Sequence, residues 1–205
     1  MQKSLISKIF ILLLVVGLLF AVAPTKQAQA ATVVTTEQQL LDALSGTGDI
    51  ELGASFTLTA TVDVNRSVTI DGKGYVITGP PVAPQPKGHG FTIYANGVTI
   101  KNLTITGSGR SNLNFYVVTG GVVDNVILSN AGSAGMIVNG SQVTITNVTT
   151  SGNAWGGINV DQGGGVTAIP LLTVTNVTTH TSPAGRITAA IWVDKGNAAW
   201  VSASD

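Results

Sequence analysis

Two segments of the chain close in the same way. INVD (158–161) and IWVD (191–194) alternate apolar and polar residues and end on a carboxylate, Asp161 and Asp194. At about 5 Å, the spacing of neighbouring strands, two carboxylates could share a hard cation such as Ca2+. They could also divide acid and base duties on a glycosidic bond. Asn139, closing MIVN (136–139), would add a third oxygen to such a metal site. Lys195 and Arg186 stand ready as base or carboxylate clamp. Tyr116 and Trp192 offer flat faces against which a sugar ring can lie, with the Asn159 amide beside them. Both aspartates also precede glycine-containing turns, DQG and DKG, where Asp is favoured for purely local reasons. At the level of sequence both readings stand. Ca2+ takes roughly six to eight oxygens, so two Asp and one Asn would hold it only with help from water or an acidic sugar.

Composition narrows the alternatives. The chain has 205 residues, two His and no Cys. A His-rich metal centre is excluded on count, and no disulfide framework is available. Lys3 and Lys8 precede an apolar run (9–23), and an A-x-A pattern ends at Ala30. The first 30 residues therefore read as a secretory signal peptide, leaving residues 31–205 as one domain outside the membrane. That domain holds seven Lys/Arg against ten Asp/Glu, a formal charge of −3. Weak acidity without a basic cluster argues against a nucleic-acid partner.

The two aspartates meet only if the chain is periodic, and it is. A phrase centred on asparagine recurs in VTIKNLTITGS, VVDNVILSNAGS, VTITNVTTSGN and LTVTNVTTHTS, with anchors Asn102, Asn125, Asn147 and Asn176. Their spacings are 23, 22 and 29. The last is one period plus a seven-residue insertion, placed at QGGGVTAIP (162–170). A second phrase runs in step: GFTIYANG, NFYVVTGG, GMIVNGSQ, GGINVDQG and AAIWVDKG. A period near 22 with two short strands and a looser third edge predicts one coil of a parallel β-helix per repeat, about six coils in all. Val143 and Ile145 should point inward, Thr144 and Thr146 outward. The asparagines should take left-handed conformations at a corner and pass hydrogen bonds from coil to coil. The turn spacing sets Thr92, Tyr116, Ile137, Asn159 and Trp192 in one outward column. It sets Tyr94, Val118, Asn139, Asp161 and Asp194 in the other. Outward threonine pairs, Thr144/Thr146 and Thr173/Thr175, resemble the arrays of ice-binding solenoids, but Asp71 and Lys101 interrupt them.

The start of the domain fits. Thr36 with Gln39 forms a capping-box pattern, and Leu40, Leu41 and Leu44 make one apolar face ended by Gly46. This predicts a helix over 36–45 that covers the open end of the first coil. The leader, this helix, IELGASFTLTATVDV, VTIDGKG and the VTIKNLTI-like coils together resemble secreted right-handed parallel β-helix proteins of the pectate-lyase-like superfamily. IWVDK is similar to a Trp-Ile-Asp-His phrase of pectate lyases, with Lys195 in place of the histidine. The resemblance implies an all-β, single-stranded solenoid with a short N-terminal capping helix. It also implies a polysaccharide or cell-surface glycan as partner, bound or cleaved on the outside of a parallel sheet, with Ca2+ as a candidate cofactor. The alternative is a non-catalytic surface, matrix or adhesion module. The loop PPVAPQPKGHG (80–90) and the loop at 162–170 should project from one side and wall any groove. Little chain follows the last coil, so a partner or a further segment is expected to cover it.

Overall fold

The computed structural model describes residues 29–81, 88–176, 179–181, 189–193 and 198–204. Residues 1–28 of the expected leader, with Arg186, Asp194 and Lys195, lie outside them. Strand β1 (Thr32–Val34) is followed by helix α1 (Glu37–Ser45). The chain then coils. The first coil carries β2 (Ile50–Leu52), β3 (Phe56–Thr57) and β4 (Val62–Val64); the second carries β5 (Thr69–Asp71), β6 (Val76–Thr78) and β7 (Phe91–Ile93). In the next three coils the first two strands fuse. They are β8 (Thr99–Thr106) with β9 (Leu113–Tyr116), β10 (Gly121–Ser129) with β11 (Met136–Asn139), and β12 (Gln142–Ser151) with β13 (Ile158–Asp161). A sixth coil has β14 (Leu171–Thr175), β15 (Thr179–Thr181) and β16 (Ile191–Val193), and β17 (Val201–Ser204) follows.

The strand pairings are parallel and join neighbouring coils. Sheet A has eleven strands and sheet B has six, in the order β4, β7, β9, β11, β13, β16. The expected looser third edge is in fact a third strand, the part of sheet A that lies beyond the asparagine corner.

That corner explains the asparagine phrase. Asn102, Asn125, Asn147 and Asn176 have φ of +51 to +53°, a region most L-residues avoid and Asn tolerates. The corner restarts the inside–outside alternation. Ile100 and Leu103 are both buried across it, and so are Ile145 and Val148. The Asn125 amide donates to Asn102 Oδ1 at 2.9 Å, and the Asn102 amide donates to Asp71 Oδ1 at 3.0 Å. The ladder thus ends on a charge. Burial alone would raise the Asp71 pKa. The Asn102 amide, the Lys73 N–H and the Lys73 ammonium outweigh it and hold the carboxyl below its ordinary value. Lys101 Nζ also lies 3.6 Å from Asp71 Oδ2.

Inside, one apolar column runs from Val34 under the helix to Trp200. Fully buried Leu, Ile and Phe side chains contribute about 1.5–3 kcal/mol each before chain entropy is counted. The helix seals the near end with Leu40, its buried residue. Thr36 Oγ1 accepts from Gln39 N, as a cap should. The Gln39 side chain, however, accepts from Thr35 N at 2.7 Å and not from Thr36, because Thr35 ends the preceding extended segment and its N–H needs a partner. Arg66, silent in the sequence pattern, donates to the carbonyls of Ala43, Leu44 and Gly48 and so satisfies the far end of the helix.

Candidate functional site

Sheet B presents two outward columns, because side chains alternate along each strand. One holds Asp63, Thr92, Asn114, Ile137, Asn159 and Trp192. The other holds Tyr94, Tyr116, Asn139 and Asp161. Tyr116 therefore stands with Asn139 and Asp161 and not with Asn159 and Trp192 as the turn spacing implied. Val118, expected outward, is buried at 2 % exposure.

Both corrections have one cause. Equal turn spacing would align Val117 with Ile93 and Val138, but Phe115 is their partner. Phe115 fills the core so fully that the residue opening the next strand is Gly121, opposite Val143, and not Val122. A Cβ on Gly121 would lie 2.8 Å from the Phe115 ring. Val117 is pushed into a corner with φ +54° and is 48 % exposed, where the next coil uses Gly140 at φ +56°. A β-branched residue in this region is a genuine outlier.

On the outer face Tyr94 and Tyr116 meet edge to face, centroids 5.9 Å apart and planes at 68°. Tyr94 is 49 % exposed and Tyr116 is 36 % exposed. One coil further, Asn139 follows Tyr116, then Asp161 follows Asn139. Asn159 sits diagonally beside Asn139, next to Trp192. The side-chain carbonyl oxygens of Asn139 and Asn159 are buried and have no hydrogen-bond partner. Of the residues singled out from sequence, Tyr116, Asn139, Asn159, Asp161 and Trp192 share this face. Tyr94 stands in the outward column with Asn139 and Asp161, as the turn spacing predicts, while Asn114 and Val117 join this face without a signal in the spacing.

The two loops join sheet B at different ends of its strands. Residues 82–87 of the first loop lie outside the described residues; its described end leads into the start of β7, whereas the loop at 162–170 leaves the end of β13. Gln162 Nε2 donates to the carbonyls of Thr167 and Ala168 and closes the second loop over the Gly140 corner. The first is pinned to the third coil, where Gly109 and Arg110 donate to Pro80 and Gly88. His89 Nδ1 accepts from Ser111 N at 3.3 Å. Burial, with the Arg110 charge beside it, lowers the His89 pKa to about 4.

A Ca2+ site fits the described residues poorly. Asp161 and Asn139 offer two side chains toward roughly six to eight oxygens, and no group of three His, Asp or Glu gathers among the described residues. The threonine rows are likewise partial. Thr144, Thr173 and Ser202 align, as do Thr146, Thr175 and Ser204, but toward the helix end Asp124, Lys101 and Asp71 continue the second row.

No curated protein and no solved structure matches the chain. A family model described as "Right handed beta helix region" matches residues 89–197, more than half of the sequence, across the coils that build this face. The all-β parallel solenoid is thus right-handed, and the chain belongs to the right-handed beta helix family.

Proposed function

We propose that this protein is exported and binds a polysaccharide along the outer face of sheet B. The observation that carries this reading is the stair of Tyr94, Tyr116, Asn139 and Asp161 on four consecutive coils. Exposed aromatic rings lined up with amides and a carboxylate match what a sugar chain offers, apolar C–H faces edged by hydroxyls. The leader read from Lys3 to Ala30 supports export to where such polymers are met.

Binding is favoured over cleavage. Acid–base hydrolysis needs two carboxyls about 5–9.5 Å apart. Asp161 and Asp63 are separated by four strand spacings, on the order of 19 Å. Asp194, the other candidate, lies outside the described residues.

Electrophoresis through gels containing dissolved polysaccharides tests the proposal. The parent protein should be retarded by at least one polymer. Tyr94→Ala with Tyr116→Ala should weaken that retardation about tenfold, the loss of two ring contacts of about 0.5–1.5 kcal/mol each. Thr144→Ala with Thr173→Ala, on sheet A, should leave it unchanged. If the tyrosine double variant migrates as the parent in every gel, the solenoid is better read as a rigid scaffold.

A further inference from the structure

We propose that the ligand of this face is a neutral, hydroxyl-rich glycan running along the solenoid axis, and not a uronic-acid polymer held through a cation. The inference rests on the polysaccharide-binding reading and goes on to name the class.

Charge gives the first argument. Among the described residues, the outward positions of sheet B's strands hold no Lys or Arg, and the charges there are Asp63 and Asp161. At these outward positions a polyanion would meet its own sign, which disfavours association. A bridging cation would need more oxygens than Asp161 and Asn139 supply.

Hydrogen-bond chemistry gives the second. The side-chain carbonyls of Asn139 and Asn159 are acceptors without donors, and burying an acceptor unpaired is costly. A sugar hydroxyl can donate to them and accept from the same amides' N–H groups, whereas an ionised carboxylate can only accept. Both oxygens are shielded by their neighbours, so the hydroxyl must take the place of that cover. Asn114, Asn139 and Asn159 fall on three successive coils, repeating at about 4.8 Å along the axis. Only a ligand lying in that direction meets all three.

Apolar contact gives the third. Val117 is kept exposed in a conformation that glycine takes on the next coil, beside the Tyr94–Tyr116 pair. Such strain is retained where the surroundings over-determine it, often at binding sites. The resulting surface suits the C–H face of an uncharged ring.

The test titrates the full exported chain against soluble neutral polymers (mixed-linkage β-glucan, galactomannan, dextran) and acidic ones (polygalacturonate, alginate). Each series is run with Ca2+ and with EDTA, at low and high salt. At least one neutral polymer should bind, changing by less than about twofold with salt, since no charges pair, or with EDTA. Each acidic polymer should bind at least about tenfold more weakly, a gap of about 1.4 kcal/mol. Any acidic polymer bound within that gap, or more tightly, overturns the neutral assignment and leaves the polysaccharide-binding reading standing. It would point to Lys87, Arg186 and Lys195, which flank sheet B in sequence and lie outside the described residues. Failure of both classes to bind overturns both readings.

Discussion

Asparagine at the corner does two things that can be separated by mutation. It accepts a left-handed backbone, and it links coils through its amide. Asn125→Gly keeps the backbone and loses the bond to Asn102, which should cost about 0.5–1.5 kcal/mol. Asn125→Ala also forces a Cβ with no compensating side chain into that region and should cost about 1–2 kcal/mol more. Urea unfolding of the two variants measures the difference, and equal losses would assign the whole effect to the side chain. His89 makes a second residue-scale prediction. Its folded pKa of about 4 lies below the ordinary 6.5, so between those values the unfolded chain binds more protons. Its contribution is therefore complete above about pH 6.5 and declines as pH falls toward 4, with a ceiling of about 3 kcal/mol. His89→Gln should flatten the stability curve across that window. Both asparagine roles were legible in the repeated phrase. The histidine's role was not, because burial beneath a neighbouring coil leaves no trace in a Gly-His-Gly tripeptide.

At the scale of elements, the strands are short and their register is set by what fills the core. Phe115 and Gly121 exchange volume. The coils on either side place Val98 and Val143 where Gly121 stands, with Ile93 and Val138 where Phe115 stands. Gly121→Ala should cost about 1–3 kcal/mol by overpacking, and Phe115→Leu in the same chain should return part of it. A thermal-melt double-mutant cycle showing strict additivity would mean that the two positions do not share this space. This exchange also shifts Tyr116 out of the column that equal turn spacing predicts. Counting residues between apolar positions assumes equal side-chain volumes, and one coil breaks that assumption. The error moved Tyr116 to the wrong column and hid its partnership with Tyr94. Period, coil count, capping helix and corner asparagines were legible because each repeats or follows a local rule. The clamp of Arg66 on the helix end was not, since it joins residues about 20 positions apart with no repeat behind it.

The whole molecule is a stack in which strand pairing joins each coil to its neighbours, so a face can change character along its length without disturbing the fold. Sheet A does so, passing from an ion-paired patch around Asp71 to threonine and serine rows. Sheet B does so in another way, from aromatic to amide to carboxylate. The same scaffold could expose either surface to a partner, and scaffold alone does not choose. The central claim is that sheet B is the surface used. The most direct measurement is an amide-shift map of the isotopically labelled protein titrated with oligosaccharides cut from whichever polymer it binds. The account predicts perturbations at Tyr94, Tyr116, Asn139, Asn159 and Asp161, with Thr144, Thr173 and Lys101 unmoved. Perturbations centred instead on the threonine rows or on the Asp71–Lys101 patch of sheet A would contradict it.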